Sequence, residues 1–190
     1  VVAVVGVITL TLTLVPRSTD GVKRLARADR DARRFDKAEI RYKQVLQFDA
    51  KDASIHEEMA ELYAEWAKDS PIEKRGDLRS KRLEHLVKAS NYDKSLKGPK
   101  RKLLEDAMIQ ENGPDAVYWA KEVLNLEPEN LDAHYVLAAE SVESQTPDVV
   151  EIRKHLASLE KNHAPAPRQD WIRAKLAQVT QDQNTRDEIF

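Results

Sequence analysis

Pairs of bulky and small residues return at fixed intervals along this chain. Leu25-Ala26 comes back as Met59-Ala60 after 34 residues, Leu103-Leu104 follows 44 later, and Leu137-Ala138 another 34 on. A second set keeps the same register. Ala38 and Ala116 are 78 apart, as are Val45-Leu46 and Val123-Leu124, and Ala50 and Pro128. Since 78 is the sum of 34 and 44, both sets belong to one repeating unit. A fixed period constrains a fold more than local propensity does, because each unit must be the same supersecondary structure and must stack on its neighbours. The ten extra residues of the second unit fall most simply in the polar stretch Asp69–Arg79, read as a link with Pro71 and Gly76.

Within each unit the apolar residues recur at helical spacing. Asp20 is the expected cap of a first helix carrying Val22, Leu25 and Ala26. A second runs from Phe35 to Phe48, with Phe35, Ala38, Tyr42, Val45 and Leu46 on one face. The third spans about Ala53–Lys68, through Ile55, Met59, Ala60, Leu62, Tyr63 and Trp66, and Leu83, Leu86, Val87 and Ala89 mark the fourth. Lys97-Gly98-Pro99 punctuates the chain, and Pro99 suits the first turn of a fifth helix through Leu103, Leu104, Ala107 and Met108. After Asn112-Gly113-Pro114-Asp115 comes a sixth, about Asp115–Leu126, stopped by Pro128. A seventh covers about Leu131–Glu143, and an eighth starts at Thr146-Pro147-Asp148, with Thr146 the capping residue before proline. Beyond Ala164-Pro165-Ala166-Pro167 a last helix carries Trp171, Ile172, Leu176 and Val179. The reading is nine helices and no soluble strand.

A 34-residue helix-turn-helix unit with these small and large positions resembles the tetratricopeptide repeat. The family's small residues match Ala26, Ala60 and Ala138 in first helices, and Ala38 and Ala116 in second helices. Its aromatic positions match Phe35, Tyr42 and Tyr63, and its closing proline matches Pro128. The chain departs from the pattern where the family often has Trp, with Val22, His56, Lys100 and His134, and at Leu104 and Arg82, which replace small residues. The resemblance covers about residues 19–164, in units 19–52, 53–96, 97–130 and 131–164. It implies an all-α fold: a right-handed α-solenoid of about four hairpins, with residues 165–182 as a capping helix or the start of a further repeat and 183–190 as a tail.

In that family the first helix of each unit lines the concave face. By this register the face presents Asp20, Lys23, Arg27 and Arg30, then Ser54, Glu57, Glu61 and Ala64 with Glu65 beside them. Arg101, Glu105 and Met108 follow, and then Asp132, Tyr135, Ala139 and Val142. The candidate partner-binding groove is Lys23, Arg27, Arg30, Glu57, Glu61, Glu65, Arg101, Glu105 and Tyr135. Glu57, Glu61 and Glu65 repel one another at spacings of four, at a few tenths of a kcal/mol per pair, unless Lys23, Arg27 and Arg30 answer them. Pairing of those charges between adjacent helices is the competing structural account. Some family members clamp acidic chaperone C-termini with Lys, Asn, Lys and Arg. Here Lys23 fits, but Arg27 and Glu58 replace the Asn residues and Gly98 replaces a Lys, leaving Lys102 alone at the last basic place.

Composition agrees with a helical array. Charged residues are 34% and hydrophobic ones 41%, with five Gly and eight Pro. That is too apolar for disorder, and leaves few turns. The net charge of −2 gives no overall pull toward nucleic acid. No Cys is present, so disulfide frameworks and thiolate chemistry are excluded. The glycines are isolated, which excludes a phosphate-binding loop, and no Gly-x-Ser-x-Gly occurs. His56 and His134 sit at one repeat position and read as packing residues, while His85, His155 and His163 lack zinc-site spacing. The expectation is no enzyme, no cofactor and no metal.

Val1–Val15 carries no charge. It is short for a span of ~20 residues, and Leu14-Val15-Pro16-Arg17 is a poor cleavage site for a secretory signal. Residues 1–16 are read as a membrane anchor, with a signal peptide as the alternative. Arg17, Lys23, Arg24, Arg27, Arg30, Arg33 and Arg34 outnumber Asp20, Asp29 and Asp31 beside it, which favours a cytoplasmic soluble part over an exported or periplasmic one. The chain opens without Met and reads as a fragment of a longer protein. Function at this level is a membrane-tethered scaffold for a protein or peptide partner. The alternative is a structural spacer, or an arm that assembles with its own copies.

Overall fold

The computed structural model describes residues 18–189, with side chains to Gln181. The described residues form nine helices and no strand: α1 Thr19–Asp31, α2 Phe35–Phe48, α3 Ala53–Asp69, α4 Ile72–Tyr92, α5 Lys97–Ile109, α6 Gly113–Leu124, α7 Leu131–Glu143, α8 Val149–Lys161 and α9 Ala166–Ile189. The protein is all-α over this range. Each helix packs on the one before and the one after it in the chain, and α9 also reaches α7.

Short polar side chains set the helix starts by accepting hydrogen bonds from otherwise unpaired first-turn N–H groups. Asp52 caps α3 through the Ile55 N–H at 3.2 Å, and Asn130 caps α7 through the Ala133 N–H at 3.0 Å. Asn112 caps α6, where Pro114 costs nothing because first-turn N–H groups have no helical partner. Two caps differ from the sequence reading. Ser18, not Asp20, caps α1 by accepting from the Gly21 N–H, and Asp20 lies within the first turn. Asp148, not Thr146, caps α8, bonding the N–H groups of Val150 and Glu151 at 2.9 and 3.1 Å.

The stretch read as a link, Asp69–Arg79, is helical apart from Ser70 and Pro71. Residues added in the second unit lengthen its helices, α3 to 17 residues and α4 to 21. Leu78 explains it: in a run where the other large apolar residue, Ile72, is exposed, Leu78 is buried against the α1–α3 core and commits its turn to the helix. Gly76 faces open space in α4, and the Arg75 side chain donates to the Ser70 carbonyl beside the helix start. The proposed tail also differs, since α9 continues to Ile189. Leu25, read with Val22 and Ala26 as an apolar residue of the first helix, is exposed, whereas those two are buried.

The core runs from one helix pair to the next. Val22, Ala26, Phe35, Ala38, Tyr42, Val45, Ile55, Met59, Leu62, Tyr63 and Leu78 form its first part. Ala60, Leu86 and Leu103, with Trp119 against them, carry it across α4 to α5. Leu104, Ala107, Ala116, Ala120, Val123 and Ala133 continue it, and Ile172 of α9 closes onto Ala138, Val142, Ile152 and Leu156. The periodic alanines Ala26, Ala38, Ala60, Ala116 and Ala138 are all buried. A side chain of one carbon at these places lets neighbouring helices approach closely.

Among the described residues no helix is long and apolar enough to cross a membrane. The expected anchor, residues 1–16, lies outside them.

Candidate functional site

The polar faces of α1, α3 and α5 are joined by charge. Lys23 on α1 reaches Asp52 at 2.7 Å, Arg27 reaches Glu58, and Arg30 reaches Glu61 at 3.3 Å. Lys102 on α5 donates to both Glu57, at 3.1 Å, and Glu61, at 2.9 Å. The acidic series of α3 is therefore answered from two sides. Arg30 and Lys102 share Glu61, Lys102 alone holds Glu57, and the exposed Glu65 has no cation within ion-pair distance among the described residues. Lys23 and Arg27, expected to face that series, are taken up by Asp52 and Glu58 instead.

These pairs are half-buried, and burial alone would push their charges off. Burial works against the Lys102 ammonium, but its bonds to Glu61 and Glu57 outweigh that and raise its pKa. The Glu58 carboxylate is likewise opposed by burial, yet the Arg27 guanidinium and the Tyr42 hydroxyl, 2.9 Å away, lower its pKa. Gly98 has a local role here. It lies in the first turn of α5, where a Cβ would collide with the Glu57 carboxylate. Its absence lets that carboxylate approach the positive N-terminal end of α5.

The next stretch is open. Gly98, Arg101, Lys102, Leu104, Glu105, Met108 and Ile109 of α5, Asn130 and Asp132 at the start of α7, and Arg168 of α9 enclose a cleft of about 590 Å³. Arg101, Glu105 and Met108, read from the register as inward-facing, all line it. Arg168 pairs with Asp132 across its rim and lies 5.1 Å above the ring of Tyr135, which in turn sits 6.1 Å from Trp171. Tyr135 thus supports the cleft wall through Arg168. The nine candidate groove residues divide into two groups. Lys23, Arg27, Arg30, Glu57, Glu61 and Glu65 belong to the charge-linked α1–α3 band, and Arg101, Glu105 and Tyr135 to the cleft or its rim.

Residues outside the nine candidates also matter. Lys102 and Arg168 complete the two groups. The departures His56, Lys100 and His134 each have a polar partner in the following helix. His56 Nδ1 is 2.7 Å from His85 Nδ1, Lys100 Nζ is 2.8 Å from a Glu122 oxygen, and His134 Nδ1 is 2.8 Å from His155 Nδ1. The repeat register gave the first member of each couple. Their partners follow at 29, 22 and 21 residues, so no shared spacing marked them. Among the described residues no group of three or more His, Cys, Asp or Glu could hold a metal ion.

In comparisons with known proteins, no protein-family model matches the chain and no curated protein matches it significantly.

Proposed function

We propose that this chain is a tetratricopeptide-type interaction module, an α-solenoid whose α5–α7–α9 cleft takes an extended segment of a partner protein. Val1–Val15 would tether it to a membrane with the helical part on the cytoplasmic side. The observation that carries the reading is the cleft itself: successive inward positions of one repeat, Arg101, Glu105 and Met108, line an open volume with Asp132 of the next. About 590 Å³ is within the usual range of ligand sites, and an extended segment would place a few side chains in it. The 34-residue register and the buried periodic alanines support the solenoid.

The α1–α3 band favours a structural role for the first half of the chain, since every charge in it but Glu65 is held by a neighbouring helix or by Lys102 of α5. A photo-crosslinking amino acid placed at Ile109, in the cleft and 66% exposed, tests the proposal in the native host. Ile40, exposed on α2, is the control position. A protein adduct formed from position 109 and absent from position 40 is the expected result. Equal adducts at both positions, or none at 109, would leave the spacer reading standing in its place.

A further inference from the structure

Most charges of the cleft are already used. Arg101 leans to Glu127 at 3.7 Å, Lys102 is held by Glu57 and Glu61, and Arg168 is held by Asp132. Glu105 is the exception. It is exposed and lines the cleft, and no cation among the described residues lies within ion-pair distance of it. Arg101 stands one turn before it on α5 and turns away to the loop after α6. Met108 and Ile109 stand three and four residues after Glu105, so on a helix they share its face, and both line the same cleft. Leu104 forms apolar wall beside them.

We infer that the cleft selects a peptide segment in which a Lys or Arg adjoins a bulky apolar residue. The cation binds Glu105, and the apolar side chain packs on Leu104, Met108 and Ile109. This rests on the proposed function, and it names the chemistry of the partner. An acidic segment finds every cation of the cleft already beside a carboxylate, and would add a further negative charge near Glu105. A purely apolar segment leaves Glu105 desolvated and unanswered, which is unfavourable for a carboxylate covered by a ligand. Ile109 contributes apolar surface that none of the described residues covers.

Panning a random dodecapeptide phage library against the full 190-residue chain, its Glu105→Lys variant and its Ile109→Asp variant tests this. Both substitutions are at exposed positions, so folding is preserved and is checked by circular dichroism. The expected result is enrichment of Lys or Arg beside Leu, Ile, Met or Phe on the wild type. Selected peptides lose binding to Ile109→Asp, and bind Glu105→Lys about tenfold more weakly, a change of about 1.4 kcal/mol. Acidic peptides are then selected by Glu105→Lys. Peptides that need Ile109 but show no basic preference, or are indifferent to Glu105→Lys, overturn the inference and leave the cleft reading intact. Selection of no peptide, or only of peptides indifferent to Ile109→Asp, overturns both.

Discussion

The Nδ1 atoms of His56 and His85 lie 2.7 Å apart between α3 and α4, and one proton serves both. His56 Nε2 is 3.1 Å from the Ala50 carbonyl, which only accepts, so Nε2 carries the hydrogen and Nδ1 is a bare acceptor. His85 Nδ1 must then donate. The same arrangement recurs 78 residues on, where His134 Nε2 donates to the Pro128 carbonyl at 2.8 Å and its Nδ1 meets His155 Nδ1. Each couple has room for one hydrogen between its inner nitrogens. A second proton on the inner atoms would set two N–H groups against each other.

Mild acid should therefore destabilise the fold before its carboxylates titrate. Burial, with the neighbouring His56 and then Lys88 adding to it, holds His85 down to about 4 against Glu84. Burial, then His134, does the same for His155 to about 4, with Glu151 opposing and Lys154 assisting. Burial likewise lowers His56, against the Ala50 carbonyl, with Lys88 adding to it and Asp52 and Glu84 opposing. The unfolded chain takes up these protons near pH 6.5 and the folded chain does not, so stability falls as pH drops from about 6.5 to about 4. The loss is on the order of 3 kcal/mol for each of His85 and His155. Urea unfolding from pH 7.5 to 4.5 reads it directly. A flat profile above pH 5 would show that the couples do not hold their neutral form.

Removing one member of a couple should cost more than removing both. His155→Leu leaves the buried His134 Nδ1 without a donor, at about 1–3 kcal/mol. His134→Leu with His155→Leu removes the unpaired group and fills the space with apolar side chains. The double variant is expected to be at least as stable as the His155 single variant. A thermodynamic cycle from urea unfolding measures the coupling, and additive losses would count against a shared hydrogen bond.

These couples mark where sequence reading reached its limit. The register was legible because Leu25-Ala26, Met59-Ala60 and Leu137-Ala138 repeat the same packing demand, and the helix order followed from it. The span of α7, Leu131–Glu143, follows from a strong cap at Asn130 and continuous apolar spacing. The α4 start was not legible, because only Leu78 marks the buried side of a largely polar run, and Ile72 at the helix start is exposed. At the site, Glu57, Glu61 and Glu65 announced a need for cations. Which cations answered depended on the approach of Lys102 from α5, a contact 41 to 45 residues away that no local pattern encodes.

Lys100 is 3% exposed, and Glu122 is its ion-pair partner at 2.8 Å. Glu122→Ala leaves a buried ammonium without its carboxylate, which should cost about 3 kcal/mol. Lys100→Met with Glu122→Leu removes both charges and should recover most of that loss, because the desolvation of two ions disappears with their attraction. Chemical unfolding of the three variants tests this. A Glu122→Ala protein as stable as the parent would mean that Lys100 reaches water by turning outward.

The turn after α5 offers a gain in stability. Glu111 has a φ of 54°, in the left-handed region, and its N–H bonds the Met108 carbonyl at 3.2 Å while the Asn112 N–H bonds that of Ala107 at 3.0 Å. This is the helix-ending arrangement that favours glycine, because a Cβ in the left-handed region meets the following carbonyl. Arg33, 78 residues earlier, has the same conformation at 56°. Glu111 is exposed and makes no ion pair among the described residues, so Glu111→Gly removes the backbone strain and little else. Relief of about 1 kcal/mol or more is partly offset by the freedom that glycine gives the unfolded chain. The net gain should be about 0.5–1 kcal/mol, or roughly 1–4 °C in melting temperature for a chain of this size. Gln110 is the control, with a φ of −87° in the right-handed helical region. Gln110→Gly should lower the melting temperature, since glycine there adds flexibility and relieves nothing. If both variants fall together, the strain at position 111 is not what limits this turn.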